Sequence, residues 1–158
     1  KENMSIRRFA VMDVADNEAA VSYLHGEGQI GVLVKLKAGT PEAAADDKVK
    51  SLAFDLALHI AAFNPAYPNR DAVDPAYLKE QEDIFRTQVA QMDKPEKVVE
   101  GIIKGKMNKH LSEICFLDQG FVKDDKQSVA KVVAGLGKEL GTDLSVEKYI
   151  YYKVGEEA

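Results

Sequence analysis

Two helix-like stretches flank the tetrapeptide Asp93-Lys94-Pro95-Glu96, and that junction limits what the chain can fold into more than any other feature. Proline cannot donate the hydrogen bond that would continue the first helix. Asp93 can cap a new helix, and Glu96, three residues on, completes an acidic version of the capping box. The first helix is predicted over 75–92, with Asp74 as its N-cap acceptor and Pro75 at the first helical position; the second runs to Ile114. Leu78, Phe85 and Met92 recur on one, and Val99, Ile103, His110 and Ile114 on the other, at helical spacings. So short a link forces an antiparallel helical hairpin. Gln81 and Gln88 interrupt its apolar stripe, so the hairpin is expected to project from the body rather than lie buried in it.

Around the hairpin the pattern is mixed. Ile6, Phe9, Val11 and Met12 suggest a first, irregular strand, and 13–17 is polar enough to turn. Residues 21–25 and 30–36 are apolar and β-branched, and Gly26-Glu27-Gly28-Gln29 between them makes a β-hairpin. Val49, Leu52, Ala53, Leu56, Ile60 and Phe63 mark an amphipathic helix over 46–63 that Asn64-Pro65 stops. A weaker helix is predicted over 124–141 through Val129, Val132, Val133, Leu136 and Leu140, with Gly141 as its stop. Gly135 and Gly137 each lower its stability by up to about 1 kcal/mol relative to alanine. Residues 144–154 alternate as a last strand that rejoins the others. The fold class is therefore α+β. An antiparallel sheet of three to four strands, in sequence order β-β-β-α-α-α-α-β, packs against helices, and the projecting hairpin 75–114 is inserted in a single domain spanning 1–158.

Composition removes several functions. A chain of 158 residues can bury one substantial core, about 70% of its unfolded surface. Its 21 basic and 26 acidic residues are interspersed and sum to −5, so no basic field exists to hold a phosphate backbone, and no direct nucleic-acid contact is expected. Cys115 is the only cysteine, which excludes an internal disulfide and favours a reducing, cytoplasmic setting. No His or Cys pair has zinc-ligand spacing, and no cofactor is expected. No apolar run approaches the roughly 18 residues that span a bilayer, and Lys-Glu-Asn-Met-Ser-Ile-Arg-Arg is not a signal peptide.

Catalytic motifs are sparse. Gly26, Gly28 and Gly31 spell G-x-G-x-x-G, and Asp46 lies twenty residues after Gly26, as in a dinucleotide-binding turn. The context opposes that reading, since 32–36 is strand-like where a helix must begin. His59 shares the inner stripe of its helix and reads as a hydrogen-bonded core residue; His110, near a helix C-terminus, reads as solvated surface. His25 stands where a strand meets a glycine turn, a place where side chains are exposed and aimed. No Ser, Cys or Asp is placed by the sequence to make a triad or ligand set with it. Asp46-Asp47 and Asp124-Asp125 precede predicted helices, whose N-termini attract acids for their own reasons. No enzyme is read from the chain.

A second kind of signal lies in the order of short phrases. Glu2-Asn3 and Ile6-Arg7-Arg8 come first, then Tyr23-Leu24-His25-Gly26, then Leu58-His59-Ile60-Ala61-Ala62 with Asn64-Pro65. Lys94-Pro95, Gly105-Lys106-Met107 and Phe121-Val122-Lys123-Asp124 follow. In this order the phrases resemble translation elongation factor Ts over nearly the whole chain. The resemblance implies a guanine nucleotide exchange factor that binds elongation factor Tu and speeds GDP release, without an active site of its own. It implies the C-terminal half of the family's core plus its coiled-coil or dimerisation hairpin, in a fragment that starts in mid-phrase. The family's N-terminal domain and the core half with its Thr-Asp-Phe wedge would lie upstream. It places Tyr23, Leu24, His25 and Gly26 on the surface that meets the GTPase, and Phe121, Val122 and Lys123 at or near it. It also leaves a homodimer through the hairpin open. Gln119-Gly120 stands where the family has Gln-Pro, which implies a looser loop at Phe121. Tyr23, Leu24, Phe121 and Val122 thus form either an apolar docking centre with His25 as a polar contact or a shared core cluster.

Overall fold

A computed structural model describes residues 3–90, 92 and 95–156. In chain order it contains β1 (Glu18–His25), β2 (Ile30–Ala38), α1 (Pro41–Ala44), α2 (Asp47–Phe63), α3 (Pro75–Val89), α4 (Glu96–Ile114), β3 (Gly120–Phe121), β4 (Asp124–Ser128), α5 (Val129–Leu140) and β5 (Leu144–Lys153). Short 3-10 turns stand at Arg70–Ala72 and Phe116–Asp118. The chain divides into two compact units, Lys1–Asn64 with Val133–Ala158, and Pro65–Val132. The α+β class is as the sequence indicates.

The first unit is organised on β2, which pairs antiparallel with β1 on one edge and β5 on the other. Val32, Val34, Leu36 and Ala38 alternate along β2 and are buried, as period-two side chains on one face must be. Helix α2 meets β1 and β2 with Val49, Leu52, Ala53, Leu56, Ala57, His59 and Ile60 all buried. Each fully buried Val, Leu or Ile stabilises by about 1.5–3 kcal/mol. The ends of α2 follow local chemistry: the Asp46 carboxylate accepts from the Lys48 amide at 2.7 Å, and Asn64 takes the left-handed cap at φ 41°. His59 is a core residue as expected, wholly buried, with its ring 4.7 Å from that of Phe63.

The strand expected over 6–12 does not form. Residues 3–15 carry no regular element, and Met4, Ile6, Phe9 and Val11 are exposed. A strand exists only through its neighbour, and no ladder partner meets this segment among the described residues. It is tied down by side chains instead. Arg7 donates to the Glu156 carbonyl at 3.0 Å, and Arg8 pairs with the Glu156 carboxylate at 2.8 Å and lies 4.4 Å over the Tyr152 ring.

The second unit is built on the antiparallel pair α3 and α4. Tyr77 meets His110, and further along α3 Gln88 meets Lys106 earlier on α4. Asp74 caps α3, accepting from the Ala76 amide at 2.8 Å, and Pro75 occupies the first helical position. Helix α3 stops at Val89, short of Met92. Asp93, the expected cap of α4, lies outside the described residues; the cap position is Pro95, and Glu96 is the first helical residue. At the foot of the pair, Val73, Leu111 and Cys115 form a buried cluster with Tyr67, Tyr77, Leu78 and Ile114 against it. Burial pushes the Cys115 thiol pKa up, and the nearby Asp118 carboxylate adds to the shift.

Two expectations in this unit need correction. His110 is half-buried rather than solvated, because it sits on the seam between the helices, with Nε2 2.8 Å from Tyr77 Oη and its ring 6.1 Å from that of Phe85. The helix expected from Asp124 begins at Val129, because Asp124–Ser128 is drawn into an antiparallel ribbon with Gly120–Phe121. In β4 the Asp124 carboxylate accepts from the side-chain Nε2 of Gln127 at 2.7 Å instead of capping a helix. Helix α5 ends as expected at Gly141, with φ 64°.

The entry to β1 depends on one carboxylate. Glu18 accepts from the Ala15 amide at 2.8 Å and pairs with Lys35 at 3.0 Å, while Lys35 also donates to the Asp13 carbonyl. The Ala15 amide, then Lys35, hold the Glu18 carboxyl below the usual carboxylate range. A depressed folded-state pKa contributes stability above the unfolded value and loses it as pH falls through the folded one. Glu18→Gln should therefore flatten the acid limb of the stability-against-pH curve, measured by thermal unfolding between neutral and acid pH, while residues 13–17 lose protection in amide exchange.

Candidate partner-docking site

The seven residues expected at a docking surface fall in both units. Tyr23, Leu24, His25 and Gly26 lie in the first, and Phe121, Val122 and Lys123 in the second.

The first group occupies the end of β1 and the turn after it. Pairing of Tyr23 with Val32 and Leu24 with Gly31 puts Tyr23 on the face that meets α2 and Leu24 on the opposite face. Tyr23 is half-buried, with the Phe54 ring edge-on to it at 5.7 Å and 88°. Leu24 is 72% exposed. His25 shares the Tyr23 face and is exposed, with Nδ1 3.0 Å from Tyr23 Oη. The chain then reverses through Gly26, Glu27 and Gly28 at φ 60°, 55° and 88°, closed by the Gln29 amide donating to the Gly26 carbonyl at 3.1 Å. Consecutive left-handed residues match the right-handed twist of the flanking strands, which is why glycine brackets Glu27. Since Gly31 itself lies within β2, where a helix would have to begin, G-x-G-x-x-G here is a hairpin turn and not a phosphate cradle.

The second group is the tip of the β3-β4 ribbon. Phe121 is buried and pairs with Asp124 across a two-residue turn made by Val122 and Lys123, both of which are exposed. Leu24 and Val122 are thus no part of a core cluster. Gly120, expected to loosen this loop, lies within β3, where an added Cβ would stand 2.9 Å from the Asp125 carbonyl oxygen. The glycine there permits a close approach of two backbones. Gln119 beside it is buried and donates to the Glu113 carbonyl at 2.8 Å.

Among the described residues no three His, Cys, Asp or Glu side chains group as metal ligands, and no helix is long and apolar enough to cross a membrane.

The profile of the family described as Elongation factor TS matches residues 1–156. This chain belongs to the elongation factor Ts family. An elongation factor Ts from Treponema denticola is 47% identical over 155 residues, covering 98% of this chain and 55% of the relative. Those from Syntrophotalea carbinolica and Borrelia hermsii are 44% and 42% identical, covering 98% of this chain and 50% and 56% of the relatives. The chain thus spans about half the length of the elongation factor Ts relatives it matches.

Within this family member, Phe54 is a residue that sequence reasoning passed over. Its signal was visible, since Phe54 lies off the stripe of α2 and an aromatic on the wetter side of a helix needs a reason; it is 42% exposed and carries the Tyr23 ring. The exposures give a clean contrast. Leu24→Ala should leave stability within about 0.5 kcal/mol of the parent, whereas Leu36→Ala in the buried face of β2 should cost about 2–5 kcal/mol. Urea unfolding of the two variants side by side checks this, and a large loss for Leu24→Ala would place that side chain in a core after all.

Proposed function

We propose that this chain is a portion of a guanine nucleotide exchange factor for translation elongation, and that it binds elongation factor Tu and promotes GDP release. It docks through Tyr23, Leu24, His25 and Gly26, and through Val122 and Lys123 with Phe121 supporting them from beneath. The observation that carries this reading is the exposed Leu24-His25 step, an apolar and a polar group presented at the rigid end of a laddered strand in a member of the elongation factor Ts family. An apolar side chain beside a polar one fits the anatomy of protein interfaces, whose fully buried centre is more apolar than the rest of the surface.

Exchange requires no active site. A factor that binds the nucleotide-free GTPase more tightly than the nucleotide-bound form lowers nucleotide affinity by the same free energy, because coupling is reciprocal. The chain is read as a non-enzyme for that reason. Its docking residues supply grip, and a chain spanning about half the length of its relatives is expected to release nucleotide more weakly than they do. Release of a fluorescent GDP from elongation factor Tu, followed with this chain and with a full-length relative, tests the proposal. Saturable binding with slower release than the relative is expected. No binding to the nucleotide-free GTPase would end the reading.

The hairpin offers a second reading, self-association, because Ile84 and Val98 are 41% and 45% exposed on α3 and α4. Phe85 and Ile103 would be poor probes of it. Phe85 packs on His110 and Ile103 is buried, so changing either disturbs the hairpin itself. Sedimentation across concentrations should show a dimer that Ile84→Glu dissociates; a monomer at every concentration removes it.

A further inference from the structure

We infer that Tyr23 is a positioning residue that holds the His25 imidazole in one orientation and one tautomer, so that the ring offers a single outward N–H donor. The partner group it fits is a carbonyl or carboxylate oxygen on the docked protein. This rests on the docking reading above and adds a role within it.

Period-two alternation puts both side chains on the same face of β1, with ring centroids 6.0 Å apart at 41° and Tyr23 Oη 3.0 Å from His25 Nδ1. A phenol is a good donor and the bare nitrogen of a neutral imidazole a good acceptor. When Oη–H donates to Nδ1, the ring proton resides on Nε2. Among the described residues no other group hydrogen-bonds His25, so Nε2–H faces outward unused. The phenol is itself fixed. Its ring is half-buried and braced edge-on by Phe54, and β1 is laddered to β2 through the His25–Ile30 pair at the mouth of the turn. An exposed histidine free to rotate would have to be ordered on binding; here Tyr23 orders it beforehand.

Tyr23→Phe keeps the ring against Phe54 and removes only the hydroxyl. In the parent chain, nitrogen-15 spectra of the His25 ring at a pH where it is neutral should show the Nε2–H tautomer, and in Tyr23→Phe a mixture. Affinity for nucleotide-free elongation factor Tu should fall roughly three- to tenfold in Tyr23→Phe. The same change should have no further effect in a His25→Ala background. A proton on Nδ1 in the parent, a spectrum unmoved by Tyr23→Phe, or an equal loss in the His25→Ala background would each overturn the assignment. If the parent chain bound no GTPase, the docking reading would fail, and the ring spectrum alone would still decide whether Tyr23 sets the tautomer.

Discussion

The register of β1 on β2 is the constraint on which the first unit depends. Val21 stands opposite Val34 and Tyr23 opposite Val32, so the face that carries Tyr23 and His25 is the one that closes on α2. A slip of one residue would send Tyr23 and His25 to the other face and Leu24 onto the helix, exchanging the side chains that this end of β1 presents on its two faces. The turn at 26–28 allows no such slip, because its left-handed residues fix which pair closes the hairpin. Strand β5 adds a second ladder on the far edge, with a bulge between Lys35 and Leu36 where the alternation is shifted.

Much of this architecture was legible because it is locally encoded. Asp46 and Asn64 announce both ends of α2, Asp74 and Pro75 announce α3, and the glycines at 26 and 28 announce the hairpin. Each acts through its own backbone or its immediate neighbours. The segment at 6–12 shows the limit. Its composition favours a strand, but pairing is a property of two segments, and the second is not supplied by the described residues. His110 failed for a related reason, since its burial depends on Tyr77 and Phe85 from the facing helix. The acidic start at Asp124 was ambiguous, because a carboxylate before a helix and one in a short polar ribbon look alike until the partner strand is known.

The placement of the candidate site's residues was legible in part. A histidine at a strand-to-glycine junction is exposed for reasons visible in the sequence, and Leu24 is thrown outward by simple alternation. What alternation could not say is which of two adjacent apolar residues in a phrase such as Phe121-Val122 faces in. The structure answers with a turn so tight that Phe121 goes under and Val122 with Lys123 stay out. The exposed and the buried side chain are thus divided between neighbouring residues of one tight turn.

The buried cluster around Cys115 has a practical consequence. It is the only cysteine in the chain, wholly enclosed beside Val73 and Leu111, with a thiol less acidic than usual. A thiol reagent can reach it only when the foot of the α3-α4 pair opens, so the rate of modification is a clock for that event alone. This chain therefore carries its own single-site reporter on one of its two units, and the opening of that unit can be followed without introducing a label anywhere else.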